Sequence, residues 1–117
     1  MKNSWIMSKE RNFGDLKTGD IIWKTDTEKW QLIPIEVVKI EPAAASYIRI
    51  YLSNRTNFVV WKGAVCYDTM WFWSDHKKAE EKLMETSIEM EPYYIRKIDS
   101  LISQYDNLLK WRKSLEI

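Results

Sequence analysis

The stretch Ser46 to Ser53, SYIRIYLS, alternates without a break, and its reading governs the rest of the chain. Successive side chains of a strand point to opposite faces, so Ile48, Ile50 and Leu52 fall on one side and Tyr47, Arg49 and Tyr51 on the other. The aliphatic row belongs to a core. The Tyr-Arg-Tyr row looks outward.

Working outward from this strand, other short strand signals appear between turn residues. Upstream, LKTGD (16–20) reads as a turn, because Gly19 can take a positive φ and Asp20 can bond nearby backbone. A strand follows at DIIWKTD (20–26), and DTEK (26–29) supplies turn residues before the long run WQLIPIEVVKIEP (30–42). Pro34 within that run cannot donate to a ladder, which places it at a bulge, a bend or an edge. Downstream, SNRTN (53–57) is a turn and FVVWKG (58–63) a strand. AVCY (64–67) is a short strand or the return limb of a hairpin, and DTMWFWS (68–74) closes the β part with Met70 and Phe72 opposed to Trp71 and Trp73. Five or so short strands at such intervals predict a small, strongly bent antiparallel sheet or barrel.

The period changes at Ser74. Ser74 or Asp75 is a suitable N-cap, and Ala79, Leu83 and Met84 then share one face of a helix running to about Met90. Pro92 disfavours continuation and suits the first turn of a new helix. In that second helix Ile95, Ile98, Ile102, Tyr105 and Leu109 follow steps of three and four, with Tyr94, Leu101, Leu108 and Leu115 forming a second row. A stripe this wide needs a neighbour. The two helices are expected either to fold back as a hairpin or to pair with a second copy, in a homodimer centred on Ile98, Ile102, Tyr105 and Leu109.

Composition narrows the function. The 117 residues suit one domain, and 45% apolar content with three Gly and three Pro argues for a folded chain. Eighteen Lys and Arg against seventeen Asp and Glu leave a formal charge of +1, so net charge does not favour nucleic acid or an anionic membrane as a partner. A single cysteine, Cys66, allows no internal disulfide or Cys-based zinc cluster. With no long apolar run and no signal-peptide pattern at the N-terminus, a cytoplasmic location is expected.

Catalytic signals are sparse. His76, the one histidine, falls at a helix start, and Cys66 reads as a small buried hydrophobe rather than a nucleophile. The three glycines are too dispersed for a phosphate loop. Glu80, Glu81, Glu85, Glu89 and Glu91 alternate with lysines as a solvated helix face. No catalytic residue, metal site or cofactor is expected, and the chain is not read as an enzyme.

What remains is an aromatic surface. Seven tryptophans in so short a chain set two roles in tension, since Trp packs cores and also dominates binding hot spots. Tyr47, Arg49, Tyr51, Trp61, Trp71 and Trp73 are the candidate partner-binding residues: flat rings beside a cation can hold a peptide or unstacked bases. The competing role for the Trp71–Trp73 pair is to anchor the helices to the sheet.

Two fragments carry a resemblance. LKTGDIIWKTD (16–26) resembles the opening of small SH3-like barrels, where a Leu-x-x-Gly-Asp turn leads the first strand. MWFWSDHKKAEEKL (70–83) is similar to the strand-then-helix ending of small phage and bacterial proteins, with Lys77 in place of the acidic residue. The likeness implies a small accessory protein acting by binding.

Together these readings predict an α+β protein with three parts: a flexible leader over residues 1–15, a small bent antiparallel sheet or SH3-like barrel over 16–74, and two C-terminal helices over 75–117. The expected function is a non-catalytic, homodimeric protein-interaction module, its protein partner unspecified. The alternative is a single-stranded nucleic-acid-binding protein that stacks bases on Tyr47 and Tyr51 beside Arg49.

Overall fold

A computed structural model describes residues 10 to 116. The chain divides into two compact units that part between Met84 and Glu85. Six strands build the first: β1 (Ile21–Asp26), β2 (Gln31–Pro42), β3 (Tyr47–Leu52), β4 (Asn57–Trp61), β5 (Cys66–Tyr67) and β6 (Phe72–Trp73). All pair antiparallel, in the order β4-β3-β2-β1-β6-β5. One helix follows, α1 (His76–Ser114).

The long strand β2 makes the bend. Its first half, Gln31 to Glu36, pairs with β1, and its second half, Val37 to Pro42, pairs with β3. Between Val37 and Lys39 the register shifts. Ile33, Ile35 and Val37 face the core on odd positions, but beyond the shift Ile40 does so on an even one. An extra residue of this kind bends its strand and raises the local twist, which lets one strand serve both halves of a curling sheet. Pro34 sits in the first half, whose only ladder partner among the described residues is β1, so its missing N–H costs no central pairing.

Inside the curl lie Phe13, Leu16, Ile22, Ile35, Val37, Ile48, Ile50, Leu52, Phe58, Val60 and Phe72, all buried. Phe58 is the hub: it meets Phe13 edge-on at 5.7 Å, Phe72 at 5.2 Å and Tyr67 in a stack at 4.8 Å between ring centroids. Ile48, Ile50 and Leu52 enter this core as the alternation of SYIRIYLS requires.

The sheet curls into a nearly closed barrel, and the segment before β1 is bonded to the loop, residues 62–65, that joins β4 to β5. Phe13 and Gly14 donate their backbone N–H groups to the carbonyls of Ala64 and Lys62, each at 2.8 Å. A Cβ on Gly14 would stand 2.8 Å from the Lys62 carbonyl oxygen, so this close approach requires glycine. Arg11 adds bonds to the carbonyls of Ser74 and Ile21, while the fully buried Ser74 hydroxyl donates to the Arg11 carbonyl at 2.6 Å. Of the leader expected to be flexible, Met1 to Lys9 lie outside the described residues; Arg11 to Asp15 are built into the barrel.

The β part ends differently from the pattern of DTMWFWS. Asp68–Met70 form a 3-10 turn, Trp71 takes a left-handed conformation (φ 58°), and β6 begins only at Phe72. Asp75 then caps α1 by accepting from the Lys78 N–H at 3.2 Å.

The expectation of two C-terminal helices is corrected: a single helix of 39 residues continues through Pro92. Proline inside a helix removes one N–H and frees the carbonyl four residues back, here that of Ile88. Ile88 is 62% exposed and every residue from Glu91 to Glu116 is exposed, so water can satisfy that carbonyl. The helical hairpin falls with the second helix. No helix among the described residues is long and apolar enough to cross a membrane.

Candidate partner-binding site

Four of the six candidate contact residues come together on the outer face of β3 and β4. Tyr47 stands directly opposite Trp61, Arg49 opposite Val59 and Tyr51 opposite Asn57. On the other flank, β2 places Glu41 opposite Arg49 and Lys39 opposite Tyr51. Tyr47 is 47% exposed and Trp61 53%, so the cross-strand pair forms an open aromatic ledge.

The ledge is held in place by its neighbours. A Cβ on Gly63 would lie 2.6 Å from the Trp61 ring, which shows the indole folded against the glycine two residues on. That contact restricts the ring's rotamers and leaves less ordering entropy to be lost on binding. Beside the rings runs a polar network. The Tyr51 hydroxyl donates to Glu41 Oε1 at 2.6 Å, Lys39 lies 3.3 Å from Glu41 Oε2 and 5.2 Å from the Tyr51 ring centroid, and Arg49 donates to Asn57 at 2.6 Å.

Donation from Tyr51, then from Lys39, holds the Glu41 carboxyl below its ordinary pKa. The same hydrogen bond raises the Tyr51 phenol above its own. At neutral pH the face therefore presents a carboxylate between two cations, flanked by open rings. Lys39, Glu41, Asn57 and Gly63 were not singled out from the sequence. Only the register could have found them, because Lys39 and Glu41 reach this face through the bulge in β2.

Trp71 and Trp73 stand elsewhere. Trp73 occupies a row that runs Cys66, Trp73, Trp23, Pro34 across four strands. Trp23 meets the His76 ring edge-on at 4.4 Å, so this row packs against the first turn of α1. The Trp73 indole nitrogen is buried with no hydrogen-bond partner among the described residues, a desolvation cost that the packing of its rings must offset. Trp71 is 51% exposed at its turn before β6, three strands from β3 in sheet order.

The sulfur and imidazole do not share a carboxylate. Cys66 donates to Asp68 at 3.0 Å, whereas His76 Nδ1 lies 3.3 Å from Glu80. Partial burial, reinforced by Asp68, pushes the Cys66 thiol up to about 12, the reverse of nucleophile activation.

The residues expected at a dimer interface are open. Ile98 is 56% exposed, Ile102 55%, Tyr105 59% and Leu109 39%.

Comparison with protein-family models, with curated proteins and with solved structures found no match to this chain.

Proposed function

We propose that this protein is a non-catalytic interaction module that binds an extended peptide of a protein partner across the outer face of β3 and β4. The observation that carries the reading is the Tyr47–Trp61 pair: two aromatic residues directly opposite one another on adjacent strands, both about half exposed. Rings so placed give a ligand flat apolar area at low entropic cost, and proline or aliphatic side chains suit them. Arg49 and Glu41 beside the ledge would fix the peptide's direction through its polar side chains.

Glu41 also favours peptide over nucleic acid. A carboxylate stabilised in its ionised form lies between the two cations that a phosphate backbone would need.

Trp61→Ala tests the reading. With the indole half in water, its loss should cost no more than about 1 kcal/mol of stability, while peptides selected from a display library on the wild-type protein should bind the variant at least tenfold more weakly, about 1.4 kcal/mol. Equal binding by the two proteins would reject the ledge as the site. Tight binding of single-stranded oligonucleotides that weakens steeply with salt would reject the peptide in favour of nucleic acid.

A further inference from the structure

We propose that the face of α1 between Glu91 and Arg112 pairs with the same face of a second copy of this chain, and that the two helices run antiparallel. The inference stands apart from the peptide-binding reading, since it uses only residues beyond Met84.

Two rows meet on this face. Ile95, Ile102 and Leu109 recur every seven residues, and Ile98 and Tyr105 lie three residues after Ile95 and Ile102. That spacing is the seam of a paired helix. All five side chains are exposed, between 39% and 59%, and the neighbouring row of Leu101 and Leu108 is open as well. At roughly 100 Å² for each of these seven half-exposed side chains, the face offers on the order of 700 Å² per copy, close to the roughly 800 Å² a stable complex uses on each partner.

Charge selects the occupant and its direction. The row of Ile98 and Tyr105, continued by one seven-residue step at each end, arrives at Glu91 and at Arg112. The apolar face is thus bounded by an acid at one end and a base at the other, on the same side of the helix. A parallel second copy would set Glu91 against Glu91 and Arg112 against Arg112 in the seam, two like-charge contacts. An antiparallel copy, centred between residues 101 and 102, brings Glu91 of each chain to Arg112 of the other.

Nearby charges agree. Glu89 flanks the acidic end, and Lys110 and Lys113 flank the basic end. Antiparallel packing also opposes the helix dipoles. A membrane surface is the poorer occupant: residues 85–116 carry six carboxylates against five cations, without the basic excess that anionic lipid attracts.

The test is sedimentation equilibrium of the purified chain, with variants at the two charged positions. Wild type should be a dimer at tens of micromolar. Glu91→Lys alone, or Arg112→Glu alone, should raise the dissociation constant about tenfold, because each puts like charges together at both ends of an antiparallel pair. The double variant restores opposite pairing and should return to the wild-type constant. Circular dichroism verifies that each variant keeps its helix. A wild-type monomer, an assembly of more than two copies, single variants that associate like wild type, or a double variant that fails to recover would each overturn the proposal.

Discussion

Cys66 sits on the two-residue strand β5, with its thiol donating to the Asp68 carboxylate. A pKa near 12 leaves a thiolate fraction at pH 8 about a thousandfold below that of a free cysteine, and the greater nucleophilicity of a more basic thiolate recovers only part of the deficit. Iodoacetamide should therefore label Cys66 about a hundredfold more slowly than a model thiol, and Asp68→Asn should speed the reaction; mass spectrometry of the labelled protein over time checks both. The linked stability has a definite sign. A folded-state pKa above the ordinary value of 9.0 favours the protonated thiol, so its contribution is complete below about pH 9 and lost as pH rises toward 12. At this scale the sequence was readable wherever a side chain's face followed from parity alone. Ile48, Ile50 and Leu52 are buried because β3 has no irregularity. Lys39 and Glu41 could not be placed, because the shift in β2 exchanges inward and outward positions. Trp71 was misplaced in a strand because nothing in its chemistry announces a left-handed backbone, which is uncommon for any bulky residue.

Among the elements, the helix shows a local rule outweighed by its surroundings. Pro92 was read as a boundary, yet α1 passes through it, and the freed Ile88 carbonyl is on an exposed stretch where water can satisfy it. The penalty remains as a weak point. Replacing Pro92 by Ala restores an N–H and should stabilise the surrounding turns by about 3 kcal/mol, roughly a hundredfold slower amide exchange. Hydrogen-exchange mass spectrometry over residues 85–100 reads this directly. Unchanged exchange would mean that the chain breaks at Pro92 after all. The strands were legible because their turns carry Asp, Asn and Ser. What hid their exact ends is the scarcity of glycine: Trp30, Ala45 and Arg55 take positive φ in hairpin turns where a sequence reader looks for Gly or Asn. The docking of Phe13 and Gly14 onto the β4–β5 loop was equally hidden, because it rests on backbone bonds and not on any periodic pattern.

For the whole molecule, the distribution of burial matters most. Among the described residues, every buried one lies between Phe13 and Ala79, whereas the residues from Glu91 to Glu116 are exposed throughout. The barrel holds the hydrophobic core, and the distal helix carries an exposed apolar face of its own. Two units stabilised in such different ways should melt separately. Barrel unfolding should not depend on protein concentration, because its core is complete within one chain. Loss of distal helix signal should shift to higher temperature as concentration rises, since any stability gained there comes from association by mass action. Ending the chain after Met90 should then leave the near-ultraviolet melting of the barrel within a few degrees of the full chain, while abolishing both the concentration-dependent transition and the dimer. Calorimetry at several concentrations, with both chain lengths, separates the cases. A barrel transition lost on truncation would show that the distal helix stabilises the core, and a helix transition that ignores concentration would show that its apolar face is satisfied within one molecule.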